Sequence, residues 1–349
     1  METVHIDFFG ISCDVHCPKR CAKWLKKDFH EYVAAESRKP PRRRGDCMSA
    51  QTIQFSLFPK MPDYKMLPEI VAKTYHEHYI VYESENVRII DFFKQALIMY
   101  HIDPLQIEVF SRDQDFLYEV FIMAFETILG ELADKGGMHR IHCLALEHKG
   151  KAALLLLPPG AGKTTMALEF LDHPEIRILA EDQVMMRDNT LYGIHTSWGI
   201  ADKQMNKVPD APDGGRVMRS RNYHDKFRFL PPDRQCAAAA EPWIILHGKR
   251  YLSDQSYIRR IPRRRICMPI FKSMVLGLEL QQSLAFFLLR NYKDAFSKAS
   301  IGISRLRSML NLMMQCRTYE FLIGADVAKN VDMLERFIID STRRNQPDQ

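Results

Sequence analysis

The feature that most constrains the fold is an apolar run that ends in a glycine-rich turn, "AALLLLPPGAGKTT". Residues 152–157 are all apolar and predict a buried strand, and residues 164–171 have the apolar spacing of a helix. A strand, a tight glycine turn and a helix N-terminus form the context in which backbone N–H groups converge on a phosphate. The stretch therefore predicts a phosphate-binding loop in an α/β domain.

The loop departs from the usual G-x-x-x-x-G-K-[ST] pattern at one position, because Leu157 stands where the first glycine is expected. The prolines at 158 and 159 donate no N–H, so the expected phosphate donors lie further on. They are Gly160, Ala161, Gly162, Lys163, Thr164 and Thr165. Lys163 is expected to neutralise the β- and γ-phosphates, and Thr164 to ligate Mg²⁺. Thr165 either binds the α-phosphate or caps the helix.

An acidic pair follows the next apolar segment, "RILAED", which predicts a second strand ending at Glu181 and Asp182. Asp182 lies 19 residues after Lys163, which leaves room for one helix and a return to the adjacent strand. Phosphoryl transfer needs carboxylates to hold metal and to accept the proton of the acceptor. We expect this pair to reach the same phosphate as Lys163. The alternative is a charged strand end that faces water.

Four features in this order resemble the HPr kinase/phosphorylase family, which is related to ATP-dependent phosphoenolpyruvate carboxykinases. They are His142, 15 residues before Leu157; the loop "PPGAGKTT" followed by "ALE"; the acidic pair; and a hairpin, "QVMMRDNTLYGIHTSW". The resemblance covers about residues 138–200. It implies ATP and Mg²⁺ as cofactors, His142 near the phosphates, and Glu181 and Asp182 as general base and metal ligands. Leu157 and Glu181 depart from the family pattern, and a signature for reversible dephosphorylation is not found. A one-way kinase is therefore favoured.

A narrower resemblance is to HPr-kinase-like enzymes that phosphorylate the C-terminal serine of lasso-peptide precursors. It rests on the opening "HIDFFGISCDV" and on "CRTYEFLIGADVAKNVDMLERFI" near the end. It implies a serine-containing peptide or protein as the partner. Two kinases with other acceptors stay open, an HPr-type protein serine kinase and a small-molecule kinase. So does an ATP-binding regulatory or scaffold protein without turnover.

The resemblance implies an α/β fold with an HPr-kinase/phosphoenolpyruvate-carboxykinase-like P-loop core at residues 113–268. An α+β N-terminal domain at 1–112, for substrate recognition or assembly, and a C-terminal helical region at 269–349 flank this core. From the residues themselves, we expect an opening strand at 3–15 and a helix at 91–101. A further helix at 113–134 is expected to stop at Gly136. The stripe Met274, Leu278, Met309, Met313 and Met314 is expected to be core.

Charge and composition exclude several other classes. A net charge of +6 is too small for a nucleic-acid binder. The acids in the apolar helix argue against a membrane span, and no secretory signal is visible, so we expect a cytoplasmic protein. The basic run at 216–228 is interpreted either as a lid whose arginines neutralise transition-state charge or grip an acidic peptide, or as a solvated loop. The run at 259–265 is interpreted as a solvated face or a dock for a carboxylate-bearing peptide tail.

Two further expectations concern histidine and cysteine, and one concerns assembly. His195 is expected to be a structural histidine rather than a residue that faces the acceptor. Cys13, Cys17 and Cys21 lie beside His16 at spacings that match no metal motif, and we expect ordinary buried cysteines. Self-association into a homo-oligomer stays open.

Overall fold

The computed structural model describes residues 1–33, 52–84, 86–158, 160–201, 217–218, 226–277 and 292–343. This part of the chain is mixed α/β, with seven α-helices and large mixed sheets. It divides into two compact units, the first built mainly from Met1–Gly136. The second contains Gly137–Gly215, Phe227–Leu280 and Ala295–Gln349. Thus the helix that begins the expected core belongs with the N-terminal residues, and the C-terminal segment belongs with the second unit.

The first unit contains an eight-stranded mixed sheet. Its strands are β1 Glu2–Phe8, β2 Ile11–Cys17, β3 Ile53–Phe58, β4 Ala72–Tyr75, β5 Ile80–Glu83, β6 Val87–Asp91, β7 Ala96–His101 and β8 Gln106–Ser111. Its helices are α1 Lys19–Asp28, α2 His30–Val33 and α3 Gln114–Lys135, with a 3-10 turn at Tyr64–Met66. The strand order is β1-β2-β3-β8-β7-β6-β5-β4, and only the β2–β3 and β3–β8 pairs are parallel.

Helix α3 confirms the prediction for residues 113–134. Asp113 caps its start by accepting the amides of Asp115 and Phe116, at 2.9 and 3.3 Å, and Gly136 ends it. The rings of Phe121 and Phe125 lie 5.6 and 5.3 Å from the Phe55 ring on β3. These aromatic contacts, together with the apolar area that they bury, fix the helix on the sheet. Cys13, Cys17 and Cys21 are buried, as expected.

Two expectations for the first unit were wrong. Residues 3–15 were expected to form one strand, but they belong to the β1–β2 hairpin. This hairpin turns at Phe9 and Gly10, whose φ values are 52° and 88°. The expected helix at 91–101 is strand β7, which pairs antiparallel with β6 and β8. Ala, Leu and Met are good helix formers, but intrinsic propensity is small in energy, and backbone pairing on both sides of β7 outweighs it.

The rest of the described chain holds twelve strands and four helices. The strands are β9 His139–His142, β10 Leu144–His148, β11 Lys151–Leu156, β12 Arg177–Ala180, β13 Gln183–Arg187, β14 Thr190–Gly193, β15 Trp198–Ala201, β16 Val217–Met218, β17 Lys226–Phe229, β18 Ala239–Arg250, β19 Tyr257–Arg260 and β20 Arg317–Ile323. The helices are α4 Lys163–Glu169, α5 Arg263–Ile270, α6 Tyr292–Gln315 and α7 Val327–Arg343. A π-helical turn at Phe271–Leu276 continues α5, and a 3-10 turn lies at Asp233–Gln235.

The main sheet of the second unit places four strand ends together. Its order is β12-β10-β11-β18-β20-β19, with β11, β18 and β20 mutually parallel. Strand β10 is antiparallel to both β11 and β12, so β12 runs in the same direction as β11. The carboxyl ends of β11, β12, β18 and β20 therefore lie along one edge. The expectation that β12 is adjacent to the loop strand was wrong, because β10 lies between them.

A smaller layer, β14-β13-β9, joins the main sheet where β14 pairs with the beginning of β18. The hairpin expected in the segment after the acidic pair is confirmed as β13 and β14. It turns at Asp188 and Asn189, whose φ values are 45° and 65°. Strand β20 falls inside the region expected to be helical, and it pairs in parallel with β18.

The two faces of the main sheet bury separate clusters. One face packs against α4 and α7 through residues such as Met166 and Leu334. The other packs against α5, α6 and the β9–β13–β14 layer. Met274, Met309 and Met313 lie in this second core as expected, whereas Met314 is 62% exposed and the expectation for it was wrong. Helix α6 buries only one face, and Met314 lies on the other.

Leu278 of that stripe lies outside the described residues. Among the helices of the described chain, none is both long and apolar enough to cross a membrane.

Candidate phosphate-binding site

The glycine turn between β11 and α4 has the backbone geometry of a tight cradle. Gly160 and Gly162 have φ of 72° and 103°, which L side chains rarely adopt. Helix α4 then begins at Lys163, and its first turn is closed by the Met166 amide, which donates to the Gly162 carbonyl at 2.9 Å. An α-helix does not use the amides of its first turn for its own hydrogen bonds, so these can point at an anion. The Ala161 amide in the loop already donates to the Pro158 carbonyl at 3.1 Å.

Leu157 stands where the usual motif has its first glycine, and its side chain packs against the neighbouring strand. The side chain of Leu157 is buried, and its Cδ2 atom lies 2.1 Å from where a Cβ on Gly248 would be. The β11–β18 register pairs Leu156 with His247, which brings Leu157 beside Gly248 at the strand ends. Gly248 on the neighbouring strand therefore leaves the space that the leucine side chain fills.

Lys163 and His142 are in direct contact. Lys163 Nζ lies 2.5 Å from His142 Nε2 and 3.3 Å from the carbonyl oxygen of Leu157. A lysine ammonium group only donates, so Nε2 accepts and a neutral ring carries its proton on Nδ1. Nδ1 lies 3.4 Å from Oδ1 of Asp182. His142 thus links the loop lysine to the acidic pair.

His142 was expected to begin the strand pair, and instead it ends β9. The β9–β13 register pairs His142 with Gln183, directly after Asp182. The Cys143 amide donates to the Asp182 carbonyl at 3.0 Å, which fixes the two segments side by side. Antiparallel pairing of β9 with β13 therefore brings residues 142 and 182 together although they are far apart in the sequence.

Glu181 and Asp182 have different surroundings. The Thr164 hydroxyl donates to Oε1 of Glu181. The Asp182 side chain is 52% exposed and faces His142 with one oxygen. A hydroxyl and two carboxylates supply oxygen ligands of the kind that Mg²⁺ prefers. The donor set therefore fits a magnesium ion, and it also leaves Asp182 accessible to an incoming group.

Arg250 is a residue of this site that sequence reasoning missed. Its Nη2 atom lies 4.0 Å from the position that a Cβ would take on Gly162, so the guanidinium group is beside the loop. The apolar pattern predicted the strand only as far as "PWIILH", three residues short of Arg250. Arg250 could have been predicted from its place at the carboxyl end of a strand parallel to β11, because residues there lie beside the loop that follows the neighbouring strand.

The residues around this edge have shifted pKa values. Burial raises the pKa of the Cys143 thiol, while the nearby charge of Lys163 acts in the opposite direction. Burial, and then the charge of Lys249, lowers the pKa of His247. Hydrogen bonds from Lys249 and Arg259 hold the pKa of the Glu320 carboxyl below its usual value of 4.5. Lys249 Nζ lies 2.6 Å from this carboxylate.

The remaining predicted residues lie as follows. Ala161 is buried in the loop, and Thr165 is in the first turn of α4. His195 is 3% exposed. In the first basic run, Lys226 and Arg228 lie in β17, and Arg216, Arg219 and Arg221 are outside the described residues. In the second run, Arg259 and Arg260 lie in β19, and Arg263 donates to the Met314 carbonyl at 2.6 Å.

No protein-family model matches the sequence, and no curated protein is significantly similar to it. The class of site therefore rests on the geometry of its residues. A glycine turn links a buried strand to a helix, and a lysine, a threonine, a histidine and two carboxylates surround that turn. This arrangement defines a candidate phosphate-binding site.

Proposed function

We propose that this chain is an ATP- and Mg²⁺-dependent kinase that transfers the γ-phosphoryl group to a serine hydroxyl of a peptide or protein. The observation that carries the proposal is the meeting of three separate segments at one strand edge. His142 contacts Lys163 at 2.5 Å, and the Thr164 hydroxyl bonds Glu181. A Gly-Lys-Thr triplet that arose by chance would give no reason for both contacts.

ATP would be held by the backbone N–H groups of Gly160 and residues 162–165, with Lys163 and Arg250 beside its phosphates. Thr164, Glu181 and Asp182 would hold Mg²⁺, which supplies positive charge against the β- and γ-phosphates when bound. The left-handed φ values of Gly160 and Gly162 support this assignment, because they let backbone approach a phosphate closely.

Asp182 is the best candidate for general base. Its exposed carboxylate is open to an acceptor hydroxyl, whereas Glu181 is held by Thr164. In the proposed step, the serine oxygen bonds to the γ-phosphorus as its proton passes to Asp182. The bond between that phosphorus and the bridging oxygen breaks, which yields phosphoserine and ADP. His142 positions both Lys163 and Asp182 for this step.

The acceptor follows from the resemblances of the sequence and not from the geometry. The HPr-kinase-like order of motifs favours a protein or peptide serine, and the lasso-precursor resemblance favours a C-terminal one. An HPr-type protein acceptor or a small alcohol requires the same loop and acids. These acceptors are separated by incubating the protein with ATP–Mg²⁺ and a panel: a peptide ending in serine, its amidated form, an HPr-type protein and free serine.

Replacing Asp182 with Asn tests the mechanism. Asp182→Asn removes the negative charge of the carboxylate and its ability to accept a proton, and it should lower the rate of transfer by about a hundredfold or more. Asp188→Asn is the matched control, because Asp188 lies at the far end of β13 and Asn tolerates its φ of 45°. The mechanism fails if the two variants transfer equally well. ATP binding without any product from the wild-type protein would instead favour a nucleotide-sensing role.

A further inference from the structure

The first unit contains a cleft of about 660 Å³. It is bounded by the loop around Met61, the β6–β7 turn at Lys94 and the first turns of α3. This volume is in the range of pockets that hold small ligands or short peptide segments. None of the residues that line it is used by the proposed phosphoryl transfer.

The carboxylates at the start of α3 are already engaged by the protein. Asp113 caps the helix through the amides of Asp115 and Phe116. Asp115 accepts a hydrogen bond from Arg20 Nη2 at 2.9 Å. These two acids therefore have partners without any ligand, and a third lining acid, Glu119, also has an interaction within the protein. The capped helix end is not open to a phosphate.

Two cations of the cleft are not engaged in this way. In the part of the chain that the structure describes, neither Lys94 nor Arg112 has an ion-pair partner, and both side chains are exposed. Lys94 is held in place by its turn, where its φ is 62° and its amide donates to Asp91 Oδ1 at 2.8 Å. The cleft thus offers two positive charges without ion-pair partners, beside three acids that have partners within the protein.

The Tyr64 ring supports the position of the lysine. Lys94 Nζ lies 5.8 Å from the centre of this ring, and the phenol donates to Asp91 at 3.1 Å. Burial, and then the charge of Asp91, raises the pKa of Tyr64, so the phenol stays neutral at physiological pH. A neutral aromatic face can hold a lysine stem without neutralising its charge.

We propose that this cleft docks an acidic segment of the peptide acceptor. Carboxylate side chains would pair with Lys94 and Arg112, and a neighbouring apolar side chain would pack on Met61, Pro62 and Phe116. The apolar floor and the capped α3 amides favour a peptide over a nucleotide, which needs free N–H donors. Only the identification of the docked peptide as the acceptor rests on the proposed function.

Fluorescence anisotropy with the full chain tests the docking. The probe is a short labelled peptide of alternating Glu and Leu, compared with the same peptide carrying Lys for Glu. The acidic peptide should bind, more weakly as salt rises, and Lys94→Gln or Arg112→Gln should each weaken it about fivefold to tenfold. Lys65→Gln is the control, since Lys65 is exposed next to Tyr64 but does not line the cleft.

Each other outcome overturns the proposal. Equal binding of both peptides, no binding of the acidic one, or unchanged affinity in both variants would exclude an acidic dock. Displacement of the peptide by ATP that is lost in Lys94→Gln would assign the cleft to a phosphate ligand. Lys163→Met should bind the acidic peptide like the wild type while losing transfer, which separates failure of the dock from failure of the kinase.

Discussion

The side chain of Leu157 occupies the space that a side chain on Gly248 would need, with Cδ2 2.1 Å from the missing Cβ position. Leu157 leads from the buried strand into the glycine-rich loop, and its carbonyl accepts a hydrogen bond from Lys163. The pair therefore connects packing between two parallel strands to the position of the loop lysine. Gly248 on β18 thus leaves room for a leucine at this loop position.

Gly248→Ala should destabilise the protein and weaken ATP binding, because Leu157 must move to admit the methyl group. Overpacking of this kind costs roughly 1–3 kcal/mol in the free energy of unfolding. The control is Gly302→Ala in α6, where a Cβ meets nothing within 4 Å. That change should stabilise the helix by about 0.5–1 kcal/mol. Urea unfolding of the two variants distinguishes them, and equal stability would contradict the account.

Leu157→Gly restores the usual motif and should nevertheless be harmful. The buried side chain belongs to the core shared by β11 and α4, so its loss leaves a cavity. We expect a loss of about 3–5 kcal/mol in the free energy of unfolding and no gain in ATP affinity. Tighter ATP binding by this variant, measured by calorimetry at a temperature where it is folded, would contradict the role of Leu157.

His142→Gln should lower the transfer rate more than it changes affinity for ATP. The glutamine cannot bridge Lys163 and Asp182 as the ring does, and a small misplacement of such groups can cost about a hundredfold in rate. His139→Gln is the matched control, since His139 lies on the same strand but bonds Ser304 at 3.0 Å. Steady-state kinetics should show a lower kcat only for His142→Gln. A reduced kcat in both variants would indicate a structural role.

Glu320→Gln should give a pH-dependent loss of stability. Lys249 and Arg259 hold the pKa of Glu320 below 4.5, so the folded state favours the ionised carboxylate. This contribution is fully present above pH 4.5 and is lost as the pH falls through the folded pKa. Because both cations are half-exposed, we expect a loss of roughly 1–2 kcal/mol at pH 7.

The difference between Glu320→Gln and the wild type should shrink in urea unfolding at pH 3. Glu241→Gln provides the comparison, because Glu241 forms an exposed pair with Lys151. That variant should stay within about 0.5 kcal/mol of the wild type at both pH values. A Glu320→Gln deficit that is equal at pH 7 and pH 3 would show that charge is not the cause.

Local sequence patterns predicted the strand and the helix that carry the site. They did not predict which strands pair with each other. The apolar run at 152–157 and the capped helix at 113–134 were both readable from short stretches. The insertion of β10 between β11 and β12 was not, because strand order depends on contacts far apart in sequence. Arg250 was not predicted as a site residue for the same reason, because the parallel pairing of β11 with β18 is what places it beside the loop.

Segments with ambiguous composition were the other source of error. Residues 96–101 contain good helix formers, and their strand conformation depends on partners on both sides. Met314 belongs to an apolar stripe by spacing, but the helix meets the core on one face only. Neither outcome is encoded within a window of a few residues.

The most direct test of the central claim is intact-mass spectrometry of a peptide ending in serine, after incubation with the protein and ATP–Mg²⁺. The account predicts a mass increase of one phosphate that disappears in Lys163→Ala and in magnesium-free buffer. Lys149→Ala is the matched control, because Lys149 lies in the exposed β10–β11 turn away from the loop, and it should transfer normally. A phosphorylated peptide from Lys163→Ala at the wild-type rate would contradict the account.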